Sequence, residues 1–319
     1  MSTPTPSTPS NSSTPSNPAS VRIVEVSPRD GLQNEARPVS TADKIAFIDR
    51  LSDTGLPVIE ITAFVSPRWV PQMGDAAEIA AGITRRPGTR YAALVPNLAG
   101  LDRAIAAGVE DVAIIAAASE TFSRRNINRS IRESLDEYQQ VTDRALGAGL
   151  RVRGYLSTAF GCPFEGEVAP SRVLELTTEL LNIGTFEVAV SDTIGIGHPG
   201  QVRALLDLLL PTIPVDRLAL HFHDTRGMAV ANVLAALDFG IRTFDASAGG
   251  LGGCPYAPGA SGNLSTEDLL YLLNGLNHYT GVDIDLVAAA SSPLESLVGH
   301  PLPSRYLQAR RATERLNAG

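Results

Sequence analysis

The chain has 319 residues, 44% apolar and 19% charged, which suffices for one large domain with a full core and matches the size of a barrel better than two small domains. Its formal net charge of −8 argues against a nucleic-acid or anionic-membrane surface, while leaving room for a local basic pocket that takes a phosphorylated substrate. No run of about 20 apolar residues exists, so nothing is expected to span a membrane.

Residues 1–20, MSTPTPSTPSNSSTPSNPAS, are almost entirely Ser, Thr, Pro and Asn. Such a stretch buries too little apolar surface to offset its ordering entropy, so a disordered tail is expected there. It has no apolar core and no arginine, which sets aside secretory and mitochondrial targeting. The two cysteines, Cys162 and Cys254, show no zinc-type spacing, and a cytoplasmic chain with free thiols is expected.

From Val21 onward, short apolar runs alternate with helix-period segments. The predicted strands are Val21–Ser27, Val58–Phe64, Tyr91–Val95, Asp111–Ala116, Arg151–Ser157, Phe186–Ser191, Arg217–His223 and Thr243–Ala248. Between them lie amphipathic stretches: Thr41–Thr54, Asp75–Thr84, Leu98–Ala107, Ser130–Ala148, Pro170–Asn182, Pro199–Leu210 and Gly227–Phe239. Ser40 ahead of Thr41-Ala42-Asp43 marks one helix start, and Thr266-Glu267-Asp268 another. Eight strands rich in Val, Ile and Ala, each followed by a helix, imply parallel strands buried on both faces. The expected fold is a (β/α)₈ TIM barrel over residues 21–285, with 286–319 as a C-terminal helical extension. An open doubly wound sheet is the rival, but no Gly-x-Gly-x-x-Gly turn follows the first strand.

In a barrel the working groups stand at the carboxyl ends of the strands. His221 and His223 are two apart on the seventh strand, so they face together into the mouth, with Ala219. Leu218, Leu220 and Phe222 then face the helices. Two imidazoles on one side can converge on a cation; two neutral histidines hydrogen-bonded inside the barrel is the alternative. Imidazole with carboxylate and amide oxygens suits a divalent metal, Mg²⁺ or Mn²⁺ before Zn²⁺.

Arg29, beside Asp30 and Gly31 at the end of the first strand, can hold a carbonyl oxygen as it becomes an enolate, or it can simply pair with Asp30. Glu60 lies inside the apolar run Val58-Ile59-Glu60-Ile61, where an unpaired carboxylate would be costly; Arg29 is its expected partner. Asp192 ends the sixth strand, with a lesser role in positioning or proton transfer. Residues 249–262 hold six glycines, the mark of a mobile loop able to close over substrate. Cys254 at its tip is a candidate acid or base, and Cys162 a structural thiol.

Taken together, these segments closely resemble the 3-hydroxy-3-methylglutaryl-CoA lyase family. The matching stretches are SPRDGLQNE (27–35), VIEITAFVSPRWVPQMGD (58–75), ASETFSRRNIN (118–128), RGYLSTAFGCPFEG (153–166), SDTIGIGHPG (191–200), HFHDTRGMAVAN (221–232) and GLGGCPYAPGASGNLSTEDL (250–269). The likeness runs from about Val21 to Leu273. It implies a retro-Claisen cleavage of a 3-hydroxy-3-methylglutaryl thioester into acetyl-CoA and acetoacetate, with a divalent metal as cofactor. Metal ligands are implied at Asp30, His221, His223 and Asn263. Catalytic roles are implied for Arg29, Asp30, Glu60, Asp192, His221 and Cys254. Arg29 and Gln33 are expected to bind substrate, and Arg124 and Arg125, in a loop after the fourth strand, to reach CoA phosphates or to form a solvated basic pair. The chain is further expected to be a homodimer with an acyl-CoA as its partner.

Ser27, Phe222, Arg226 and Met228 depart from the family pattern. Phe222 should point away from the site, whereas Arg226 lies just beyond the ligands and bears on which acyl group is accepted. A lyase acting on a related 3-hydroxy-3-alkylglutaryl-CoA is therefore an alternative. Condensing enzymes of the isopropylmalate or homocitrate synthase type share Arg-Asp-Gly and His-x-His, but usually lack the cysteine loop and carry an extra C-terminal domain; about 35 residues run from Leu286 to the end here. An aldolase of hydroxy-keto acids and a catalytically dead binding protein are more distant readings.

Overall fold

The computed structural model describes residues 20–253 and 262–318; the expected tail, apart from Ser20, and the loop residue Cys254 lie outside them. Eight strands form a closed barrel in sequence order: β1 (Arg22–Glu25), β2 (Val58–Ala63), β3 (Arg90–Leu94), β4 (Asp111–Ala117), β5 (Arg151–Ser157), β6 (Glu187–Asp192), β7 (Leu218–Phe222) and β8 (Thr243–Ala246). All pairs are parallel, and β8 closes on β1 with Arg22 opposite Thr243 and Glu25 opposite Ala246. The helices are α1 (Thr41–Ser52), α2 (Ala76–Gly82), α3 (Leu98–Ala106), α4 (Glu120–Ile127), α5 (Ile131–Gly147), α6 (Pro170–Asn182), α7 (Pro199–Leu209), α8 (Ala229–Leu237) and α9 (Thr266–Gly275). Beyond them come α10 (Ile284–Ser291), α11 (Leu294–Val298) and α12 (Arg305–Ala318). Helix α10 packs on α1 and α9, and α12 on α9. No helix among the described residues is long and apolar enough to cross a membrane.

Side-chain alternation sorts the strand residues as expected. On β7, Leu218, Leu220 and Phe222 join the core shared with the helices, whereas Ala219 joins a separate cluster with Ala63, Leu94, Ala113, Tyr155 and Ala189. That second cluster, which also takes in Met73, faces the bore. Ser40 caps α1 by accepting from Asp43 N–H at 3.1 Å. The cap of α9 is Ser265, one residue earlier than the sequence signal suggested, because its hydroxyl accepts from Asp268 N–H.

Three elements differ from expectation, all at the mouth. The first strand stops at Glu25, and Ser27–Gly31 instead winds into a single π-type turn. Pro28 has no N–H for a ladder, and the Val26 carbonyl accepts from both Asp30 and Gly31. Such turns recur at functional sites, where they re-aim side chains. Gly31 permits the tight approach, since a Cβ there would stand 3.0 Å from Ser247 Oγ and 3.1 Å from Leu251 Cβ. The eighth strand likewise gives way after Ala246 to a turn over Ala248–Gly250, with Gly249 at φ 73°. The third difference is α4: Arg124 and Arg125 ride on a helix rather than a loop, because Ser119 caps it and Phe122 and Ser123 bury its inner face.

Two buried carboxylates pin the turn at Ala248–Gly250. Glu25 accepts from Ser27 N–H at 2.9 Å, Ala248 N–H at 2.9 Å and Thr266 Oγ1 at 2.7 Å. Glu267 accepts from Gly249 N–H, Ser265 Oγ and Ser291 Oγ. Burial drives the Glu25 carboxyl up from an ordinary 4.5 to about 7, against the pull of its hydrogen bonds. A carboxyl raised in this way holds its proton more tightly when folded. Its contribution to stability is therefore complete below about pH 4.5 and is lost as pH rises to about 7. The loss across that window is on the order of 3 kcal/mol. Urea unfolding at pH 5 and pH 8 should show Glu25→Gln, which stays neutral, with a flatter pH dependence than the native chain. Identical profiles would assign the titration to another group.

Candidate active site

The turn after β1 lifts Arg29 and Asp30 into the mouth. The Arg29 guanidinium is buried, with only 3% of the residue exposed. It donates through Nε to Glu60 on β2, and through Nη1 to Asp30 at 2.6 Å. The far oxygen of Glu60 accepts from Tyr155 Oη at 2.8 Å, and the Tyr155 ring lies 5.5 Å from the guanidinium carbon. Arg29 is thus the expected partner of Glu60, and its charge is held by Glu60 on β2, Tyr155 on β5 and Asp30 in the turn after β1. Burial opposes that charge, but Glu60 and then Asp30 outweigh it and push the guanidinium up further.

The two histidines converge as the strand geometry required. Their ring centroids are 5.2 Å apart. His221 Nε2 stands 3.9 Å, and His223 Nε2 4.0 Å, from the same Asp30 Oδ2. One ligand atom from each of Asp30, His221 and His223 lies within 4.8 Å of the others. Gaps near 4 Å are too long for hydrogen bonds but suit donors sharing one ion, since atoms about 2.1 Å from a small cation stand roughly 3 to 4.2 Å apart. Asn263 enters from the far end of the glycine-rich loop, its backbone bridged to His223. Its Nδ2 donates to Asp30 Oδ2 at 2.9 Å and to the Leu251 carbonyl at 3.0 Å. Its Oδ1, and Nδ1 of His223, are buried with no hydrogen-bond partner among the described residues.

The protonation states fit a cation as well. Burial pushes the Asp30 carboxyl up, but Arg29, His221 and His223 outweigh it and bring it to about 2. Burial, then His221, lowers His223 to about 4, so at neutral pH its imidazole is uncharged and keeps a free lone pair. A carboxylate, two imidazoles and an unpartnered amide oxygen form a donor set with the chemistry of a divalent-metal site.

The remaining candidates divide. Gln33 reaches the cluster, donating to Asp30 Oδ1 at 3.0 Å. Asp192 ends β6 beside it, its carboxyl raised by burial, and accepts from Gly197 N–H at 2.8 Å and Ile196 N–H at 3.1 Å. That geometry shapes the turn after β6. Arg124 pairs with Glu120 at 2.9 Å, and Arg125 stacks 4.2 Å over the Phe164 ring. The Arg226 guanidinium donates to the carbonyls of Ile194 and Gly195 in the turn after β6. Cys162 is buried against Ser119, 2.9 Å away, as a structural thiol would be. The ends of the glycine-rich loop are held close: a Cβ on Gly262 would fall 1.8 Å from the Gly250 carbonyl oxygen, and the Gly253 carbonyl accepts from Asn34 Nδ2 at 2.9 Å.

Sequence reading missed Tyr155 and the ion pairs beneath it, Arg153, Glu187 and Asp245. The available signal was the one that exposed Glu60, a charged residue at an inward position of an apolar strand.

A parallel eight-stranded barrel with a His–His–Asp cluster at the C-terminal rim defines a TIM-barrel enzyme with a candidate divalent-metal centre. The chain belongs to the HMGL-like family, whose model matches residues 20–293. A 3-hydroxy-3-isohexenylglutaryl-CoA/hydroxy-methylglutaryl-CoA lyase of Pseudomonas aeruginosa is 51% identical over 92% of this chain and 97% of its own length. The crystal structure of the Bacillus subtilis HMG-CoA lyase superposes with a TM-score of 0.91 at 49% identity, covering 92% of this chain and 99% of that one. An HMG-CoA lyase from Acinetobacter baumannii, solved with coenzyme A and 3-methylmalate, gives 0.87 at 39% identity over 91% of this chain and 95% of its own.

Proposed function

We propose that this chain is a metal-dependent carbon–carbon lyase that cleaves 3-hydroxy-3-methylglutaryl-CoA into acetyl-CoA and acetoacetate. The observation that carries the reading is the convergence of Asp30, His221 and His223 within 4.8 Å, directly beside the buried Arg29. Asp30, His221, His223 and Asn263 would hold the cation, and its hard-oxygen component favours Mg²⁺ or Mn²⁺. A divalent ion bound there supplies Lewis acidity toward the substrate's tertiary hydroxyl, favouring its ionised form.

As the hydroxyl proton is given up to solvent water, electrons move from that oxygen through the scissile bond onto the thioester carbonyl, releasing acetoacetate and leaving an acetyl-CoA enolate. Arg29 faces this charge with its guanidinium already oriented by Glu60, so little reorganisation is needed as the enolate forms. Tyr155 steadies Glu60 from the other side. Asp192 supports the wall after β6, and Gln33 holds Asp30 toward substrate. Cys254 is assigned the proton that quenches the enolate at carbon, on the strength of the family resemblance.

A second acyl group has specific support: the Pseudomonas aeruginosa relative carries the 3-isohexenyl substrate in its name. Both thioesters should therefore be assayed with Mg²⁺ and with Mn²⁺, following acetyl-CoA release. Turnover of the 3-methyl substrate that disappears on chelation and returns with either ion is the expected result. Equal turnover in a metal-stripped enzyme would sink the mechanism, and turnover confined to the 3-isohexenyl thioester would move the substrate.

A further inference from the structure

We propose that Asp245 is a positioning residue for the metal centre, holding Nδ1 of His221 so that Nε2 is left as the ligand atom. The inference rests on the metal-site reading above. Parallel register sets His221 of β7 opposite Asp245 of β8, and Asp245 Oδ2 lies 3.2 Å from His221 Nδ1. On the other side of the ring, Nε2 is the nitrogen that faces Asp30. A neutral imidazole carries one proton, on either nitrogen. A carboxylate against Nδ1 selects the Nδ1–H form and directs the Nε2 lone pair at the cation.

Asp245 is itself held rigidly. Arg153 binds it with both terminal nitrogens, at 2.7 Å to Oδ1 and 3.2 Å to Oδ2. The Arg153 Nε donates to Glu187 at 2.8 Å, and Glu187 in turn meets Arg22 near the amino ends of the strands. Arg153 also stacks on Tyr155, 4.9 Å from its ring centroid. A column of buried ion pairs thus runs up the bore and ends on one ligand. Buried charges of this kind do not favour stability over an apolar filling, which speaks for a functional reason to keep them. His223 differs: its Nδ1 has no partner among the described residues. Asp245 therefore acts on one of the two imidazoles, which makes the effect separable.

Titration of Mn²⁺ into metal-free native, Asp245→Ala and Asp245→Asn protein tests this without substrate, so failure of the lyase reading does not enter. The alanine variant should bind Mn²⁺ about 10- to 100-fold more weakly. The asparagine variant, which keeps an acceptor but no charge, should fall between. Nitrogen NMR of the metal-free imidazoles gives a signature that a merely structural role would not move: Nδ1–H for His221 in the native chain, and a mixture with Nε2–H in Asp245→Ala. Folded Asp245→Ala that binds Mn²⁺ like the native chain and keeps its tautomer would overturn the proposal. Should the alanine variant fail to fold, Asp245→Asn decides by the same titration, weakened binding supporting the proposal and native binding overturning it. A native chain that binds no Mn²⁺ would remove the metal reading, and this inference with it.

Discussion

Asp30→Asn is expected to lower kcat/KM by at least about 10³-fold, since metal-ion catalysis is worth several kcal/mol. Asp30 is the one carboxylate in a cluster otherwise made of two imidazoles and an amide. The substitution preserves shape, so little packing changes, but with one acceptor oxygen in place of two it keeps the N–H of Gln33 or that of Asn263, not both. What disappears is the negative charge that balances the cation. The fold should survive, because Arg29 retains Glu60. Mn²⁺ affinity and steady-state kinetics, measured together, separate the effects. Saturating metal should recover only the part of the loss due to weaker binding. Native activity in Asp30→Asn would mean that the cluster is not the reaction centre.

Arg29→Met should act on both activity and stability, and the two parts can be divided. Loss of a preorganised donor to a developing oxyanion costs about 10²- to 10³-fold in kcat, with a smaller change in KM. Glu60, 1% exposed, would be left with Tyr155 alone. Stranding a buried carboxylate in this way costs about 3–5 kcal/mol. Adding Glu60→Gln removes the stranded charge and should restore most of the stability, as read by urea unfolding, while kcat stays low. A double variant that regained activity along with stability would show that Arg29 only holds the mouth together. A single variant with native kcat would remove Arg29 from the chemistry.

Much of the site was legible because parallel barrels impose strong rules. Strand alternation alone put His221 and His223 on one side with Ala219, and Leu218, Leu220 and Phe222 on the other. An acid in the apolar run around Glu60 signalled a buried partner, and Arg29 is that partner. The errors cluster at the carboxyl ends of the strands. The first and eighth strands end sooner than their apolar patterns, because the chain there leaves the ladder for turns held by side chains distant in sequence, Glu25 and Glu267 among them. The stretch containing Arg124 and Arg125 lacked a long enough apolar period to read as α4.

The sequence by itself determined the repeating strand–helix order, the inward face of the seventh strand, the cap of α1 and most of the residues at the mouth, since these follow from period and local chemistry. Only the tertiary structure decided which of those residues meet. Closure of β8 onto β1, and the register of β7 with β8, bring Asp245 to His221 and Asn263 to Asp30 across separations of 24 and 233 residues. No local pattern encodes such contacts, because they exist only once eight tilted strands share one bore.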